Sequence, residues 1–131
     1  IKGIGIVSAA GIIGEVGDFR DYQNQSEILK MAGLDLYEIS SGKHKGERHI
    51  TKRGRSLLRK LLYFASLNMV KKNGIMYNNY QRLINNGMLK TKALIAISKK
   101  LLMIMFAMVR DNKDYVKDYH TYNCQQLKMA A

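Results

Sequence analysis

Proline is absent from this 131-residue chain, and cysteine occurs once, as Cys124. Without proline the composition favours unbroken helices, and turns must be sought at Gly and Asn. A lone cysteine excludes an internal disulfide and fits a reducing compartment, so a cytoplasmic location is expected. Three scattered histidines beside one cysteine give no zinc-type ligand spacing, so no metal site is expected in these residues. The longest uninterrupted apolar run, Leu101 to Val109, is far short of a membrane span, and no signal peptide is visible. Acids are also scarce: ten Asp and Glu stand against 22 Lys and Arg, a formal net charge of +12. A pI near 9.9 points to a phosphate-rich partner ahead of an anionic membrane surface.

What is present suffices for a packed core, since 47% of the residues are hydrophobic. One domain, or one domain with an appendage, is expected at this length. The chain begins at Ile1 without a Met, which predicts a piece of something longer. The charge is focused: Lys43 to Lys72 holds ten Lys or Arg and one acid, Glu47, which is +9 of the +12. Residues 1 to 42 balance to −3 and residues 73 to 131 to +6. A charge run is more often a solvated face, but depletion of acids beside it favours a polyanion-binding surface.

Taken in order, Lys2-Gly3-Ile4-Gly5-Ile6 leads into a short helix from Val7 to Val16, which Gly17 can end. Backbone N–H groups at Gly3 and Gly5 and the following helix N-terminus can aim at a phosphate. A Rossmann fingerprint would need a third Gly where Ser8 stands, so that version fails. The remaining pattern resembles the second half of a helix-hairpin-helix, with a plain packing turn as the alternative. Asp18 to Gln25 reads as a polar loop, and Asn24 or Ser26 caps a helix running to about Ala32, with Gly33 ending it. Leu36 to Ile39 and Arg48 to Ile50 predict a short hairpin around an irregular basic loop. Thr51 is expected to cap a helix reaching about Lys72, with Leu58, Leu62, Ala65 and Met69 inward and Leu57, Leu61 and Phe64 widening that stripe. Lys52, Arg55 and Arg59 would then share a second face. Gly54, in the first turn, would allow close approach of a phosphate or of a packing partner. Helices are also expected from Ile75 to about Asn86 and from Met88 or Leu89 to about Asn112. The second is apolar nearly all round at Leu101 to Val109, so the domain or a second subunit should cover it. Asp114 to Tyr122 reads as a last short helix or tail. The fold class is therefore mainly α.

Chemistry is sparse. Ser41, after Ser40 and before Gly42, is the candidate nucleophile because it leads into the basic loop; most Ser-Ser-Gly steps are only turns. A hydroxyl needs a base to lose its proton and cations to stabilise the phosphorane-like state. Cations are at hand; a general base or carboxylate cluster is not. The tyrosines invite a tyrosine-recombinase reading, but its Arg-His-Arg surroundings are not discernible.

The segments GIGIVSAAGIIGEVGD, Ala32-Gly33-Leu34, Ser40-Ser41-Gly42 and ITKRGRSLLRKLLYFA together resemble one family across residues 1 to 72. It is the C-terminal transposase domain of insertion-sequence transposases with an N-terminal RuvC-like DEDD domain, the bridge-RNA-guided serine recombinases. The resemblance implies a DNA-binding and strand-exchange domain over 1–72, in which Ser41 forms the covalent phosphoserine link to DNA. Leu36 departs from a Pro common in that family. Residues 73–131 match less distinctively and read as a helical extension, a candidate oligomerisation element. Gly3, Gly5, Lys43, Lys45, Arg48, Lys52, Arg53, Arg55 and Arg59 are the expected DNA contacts. Also implied are a guide RNA, a homo-oligomer, and a divalent metal (Mg) held by acids of the N-terminal domain, with no cofactor in the present residues. The fragment alone is expected to be inactive. Two readings compete: a non-catalytic module that docks DNA or guide RNA, and a ribosomal or RNA-scaffold protein that needs no Ser41.

Overall fold

The computed structural model describes residues 1–38 and 48–116. Five α-helices and one two-stranded sheet follow in the order α1 (Ile6–Val16), α2 (Gln25–Ala32), β1 (Leu36–Glu38), β2 (Arg48–Ile50), α3 (Ser56–Met69), α4 (Tyr77–Asn85) and α5 (Lys90–Arg110). The fold is mainly α, as the composition implies. No helix among the described residues is long and apolar enough to cross a membrane.

Local signals set most boundaries. Asn24 caps α2 by accepting from the Glu27 N–H at 3.1 Å, and the Glu27 carboxylate accepts in return from the Gln23 N–H at 2.8 Å. The first bond satisfies an amide donor that the opening helical turn leaves without an intrahelical partner, and the second ties the residue before the cap to that turn. At the other end Gly33 has φ 67°, a left-handed conformation, and the Leu34 N–H then reaches the Leu29 carbonyl at 2.9 Å. The antiparallel strands pair Leu36 with Ile50, Tyr37 with His49 and Glu38 with Arg48.

The core gathers one face of each major helix. Ile12 and Val16 of α1, Ile28 and Leu29 of α2, and Leu58, Leu62, Ala65 and Met69 of α3 close around Leu101, Leu102 and Phe106 of α5. Of the inward stripe expected on α3, Leu58, Leu62, Ala65 and Met69 are buried and Leu61 is half-buried, whereas Leu57 and Phe64, expected to widen it, are exposed because the core lies on the other side of the helix. α5 lies chiefly against α3, where the two buried hydroxyls of Ser66 and Ser98 meet at 3.0 Å and each also bonds a carbonyl one turn back in its own helix. The apolar run of α5 is thus covered in large part from within the chain.

The expected N-cap at Thr51 is corrected: the cap position is Arg55, four residues later, so α3 runs from Ser56, and it ends at Met69 instead of near Lys72. Lys52 has φ 54°, which interrupts a right-handed helix. The Arg55 N–H, which a helix capped at Thr51 would direct to the Thr51 carbonyl, donates instead to Met31 O (3.0 Å), and Thr51 N–H and Lys52 N–H tie the same segment to Asp35 O (2.9 Å) and Gly33 O (3.1 Å). Residues 51–55 are therefore a strap laid across the end of α2. The expected polar loop 18–25 hides a 3₁₀ turn, Phe19–Asp21, that buries Phe19. Residues 114–116, the described part of the expected last helix, are not helical; its remainder lies outside the described residues.

Candidate nucleic-acid interface

The strap presents the cations that the sequence singles out, though not on one helix face as expected. Only Arg59 stands on α3; Lys52 and Arg53 precede it, and Arg55 is its N-cap residue. Lys52 and Arg53 are exposed. Between them and α3, Gly54 lies on the end of α2 so closely that a Cβ there would overlap the Met31 carbonyl oxygen and come within 2.6 Å of the Gly33 nitrogen. Of the two roles open to Gly54, the packing one is the one this contact supports.

Arg55 and Arg59 each make a bond that sequence patterning did not anticipate. Arg55 Nη1 donates to the Glu15 carbonyl in the last turn of α1 at 2.6 Å, and Arg59 Nη1 donates to the Ala32 carbonyl at the end of α2 at 3.0 Å. Both carbonyls belong to helix C-termini, where acceptors lack intrahelical donors and the backbone dipoles favour a positive charge. A guanidinium carries five N–H donors, so one bond to a carbonyl leaves others for a phosphate. Arg55 is exposed and Arg59 half-buried, so Arg55 is the better placed of the two to do both.

Arg48 Nε donates to Glu38 Oε2 at 2.9 Å across the hairpin, one cross-strand pair beyond Tyr37 and His49, whose ring centroids are 6.2 Å apart. This exposed ion pair closes the described end of the hairpin, at the two residues joined by 39–47. Ser41, Lys43 and Lys45 lie outside the described residues.

Gly3 and Gly5 belong to a different part of the surface. Gly3, at φ 99°, sits where a Cβ would be 3.4 Å from Met69 Cγ, and Gly5 is the N-cap residue of α1 with open space around its Cα. Met69 ends α3 and Arg55 precedes it, so the fourteen-residue helix separates the glycine turn from the strap by about 20 Å. The structure therefore brings Lys52, Arg53, Arg55 and Arg59 together near the hairpin, and leaves Gly3 and Gly5 at the opposite end of α3. Lys60, exposed on α3, and Lys71 and Lys72, just past its end, are further cations between and beside the two sites. Among the described residues no group of three His, Cys, Asp or Glu could hold a metal ion.

A family model described as transposase IS116/IS110/IS902 matches residues 1–81. The 44.8 kDa protein of insertion element IS116 from Streptomyces clavuligerus is 28% identical over 113 residues, covering 86% of this chain. The 43.6 kDa protein of insertion element IS110 from Streptomyces coelicolor (strain ATCC BAA-471 / A3(2) / M145) is 25% identical over 115 residues, covering 88% of it. The chain spans 28% of the length of each of these relatives.

Proposed function

The chain belongs to the transposase IS116/IS110/IS902 family, and on that premise we propose that it is the DNA-binding and strand-exchange part of an insertion-sequence transposase, with Ser41 as the nucleophile. The observation that carries this reading is the exposed Lys52–Arg53 strap, fixed on the end of α2 directly after the hairpin whose strands flank the Ser41 segment in sequence. In the proposed step the Ser41 oxygen bonds to phosphorus and a P–O bond to deoxyribose breaks. The serine proton passes to a base, and the leaving oxygen takes up a proton. Cations beside the scissile phosphate stabilise the charge that builds on its oxygens.

Residues 1–72 carry this role in the proposal, and 73–131 act as a helical extension. If one duplex bridged the glycine turn and the strap, the 20 Å between them would cover about six base steps. Among the described residues no group of three His, Cys, Asp or Glu could hold a metal ion; the divalent metal that the family resemblance implies would be held by acids of the N-terminal domain. A guide RNA and a homo-oligomer belong to the same proposal. Isolated, the chain would bind DNA and leave it uncut.

Replacing Ser41 tests the reading. In the full-length protein with its RNA, Ser41→Ala should abolish a protein–DNA adduct that survives denaturation while DNA binding stays within a few-fold. An adduct of undiminished yield removes Ser41 from the chemistry and leaves a module that only docks nucleic acid.

A further inference from the structure

α3 carries two large apolar side chains on its solvent side. Leu57 is 51% and Phe64 52% exposed, although sequence spacing adds both to the inward stripe. A single exposed apolar side chain needs no explanation. Phe64 has a more particular setting. Lys60, Phe64 and Asn68 stand at i, i+4 and i+8, so they form one row along the helix, and all but the aromatic carbons in that row are polar or cationic. The Tyr63 ring lies edge-on to Phe64, with centroids 6.2 Å apart and planes at 75°. No acid occurs anywhere in α3, SLLRKLLYFASLNM. Exposed cations also flank the helix in the chain, Lys52 and Arg53 before it and Lys71 and Lys72 after it.

An aromatic ring open to solvent on an acid-free helix, with a lysine one turn away, matches what unpaired nucleotides require. The ring stacks on a base, which every base permits, and the Lys60 ammonium meets a neighbouring phosphate while Asn68 offers polar contacts on the other side. A duplex hides its base faces and would gain nothing from the ring. A protein partner would be favoured by the apolar carbons but not by a helix that carries cations and no acid. The apolar side chains exposed on α1, Ile6, Val7 and Ile13, have no lysine or arginine within their own helix.

We infer that the outer row of α3, Lys60, Phe64 and Asn68 braced by Tyr63, binds an unpaired segment of DNA or RNA by stacking a base on Phe64. The inference rests on the nucleic-acid reading above and adds to it a preference for unpaired strands.

The chain contains no tryptophan, so Phe64→Trp introduces a single fluorescent reporter at the surface in question. Oligothymidylate, oligouridylate and a blunt duplex of equal length are titrated into the 131-residue chain and its variants. Single strands should quench the indole of Phe64→Trp and the duplex should not; comparing the two oligomers shows whether deoxyribose or ribose is preferred. Phe64→Ala and Phe64→Leu should each bind single strands about 5- to 100-fold more weakly, the range that loss of one stacked base gives. Their duplex affinity and thermal melts should match the parent, and Phe64→Leu keeps an apolar side chain there. Single-strand binding unchanged in both variants, or an indole blind to single strands, overturns the inference while duplex binding keeps the broader reading. A parent chain that binds neither strand nor duplex overturns both. Sedimentation showing that Phe64→Ala dissociates a dimer, with single-strand affinity intact, assigns the face to a second copy and overturns it as well.

Discussion

Arg59 reaches from the first turn of α3 to the carbonyl oxygen of Ala32, the last residue of α2, at 3.0 Å. The same guanidinium covers Gly33, where a Cβ would stand 2.7 Å from Nη1. A residue that reads in sequence as one more phosphate contact therefore also joins α3 to the helix that precedes the hairpin. Arg55 does the same toward α1 through Glu15.

Removing that bond should cost stability more than affinity. Arg59→Ala leaves a helix-end carbonyl without its charged donor, and a loss of about 1–3 kcal/mol is expected. Urea denaturation measures it. The salt dependence of DNA binding should change little; a variant as stable as the parent, with a reduced salt slope, would place Arg59 on the phosphates instead.

Lys52 and Arg53 should behave in the opposite way, because both are exposed in the strap. For the parent chain, neutralising five to eight phosphates predicts a slope of log K against log salt of roughly −4 to −7. Arg53→Ala should lower its magnitude by about 0.9 and weaken binding to all sequences alike. Thermal melts should be unaffected. Titration of a labelled duplex at several salt concentrations measures the slope.

Gly54→Ala should destabilise the fold by roughly 1–3 kcal/mol, the usual cost of overpacking. The added methyl would meet backbone atoms of Met31, Ala32 and Gly33, none of which can turn aside as a side chain does. A calorimetric melt at the parent's temperature would show that the strap lifts freely from α2.

Leu101→Lys should unfold the domain or nearly so, since Leu101 is fully buried in the core between helices and an unpaired ammonium there has no partner. A loss of several kcal/mol, on the order of 3–5, is expected from circular dichroism melts. Val109→Lys, at an exposed position near the end of the same helix, should be tolerated and serves as the control.

Several elements were legible in the residues alone, and each depends on neighbours a few positions away. Asn24, one of two candidate caps beside Ser26, opens α2, Gly33 ends it by adopting φ 67°, and the 3.6-residue recurrence of Leu58, Leu62, Ala65 and Met69 marks the buried side of α3. The focused positive charge and the order of short motifs likewise require no folding to be seen. Tertiary structure decided the rest. Thr51 has the chemistry of an N-cap, yet α3 waits until Ser56 because Lys52 takes φ 54° and the Arg55 amide bonds the Met31 carbonyl, 24 positions earlier, while the amides of residues 51 and 52 hold the segment on residues 35 and 33. Arg55 and Arg59 take carbonyl partners 40 and 27 residues away, and Phe64 is left outside because the core lies on the opposite side of α3. A cap or a periodicity is a local choice among backbone conformations, whereas the acceptor that an amide or guanidinium finally takes is settled by which distant helix end the packing brings within 3 Å.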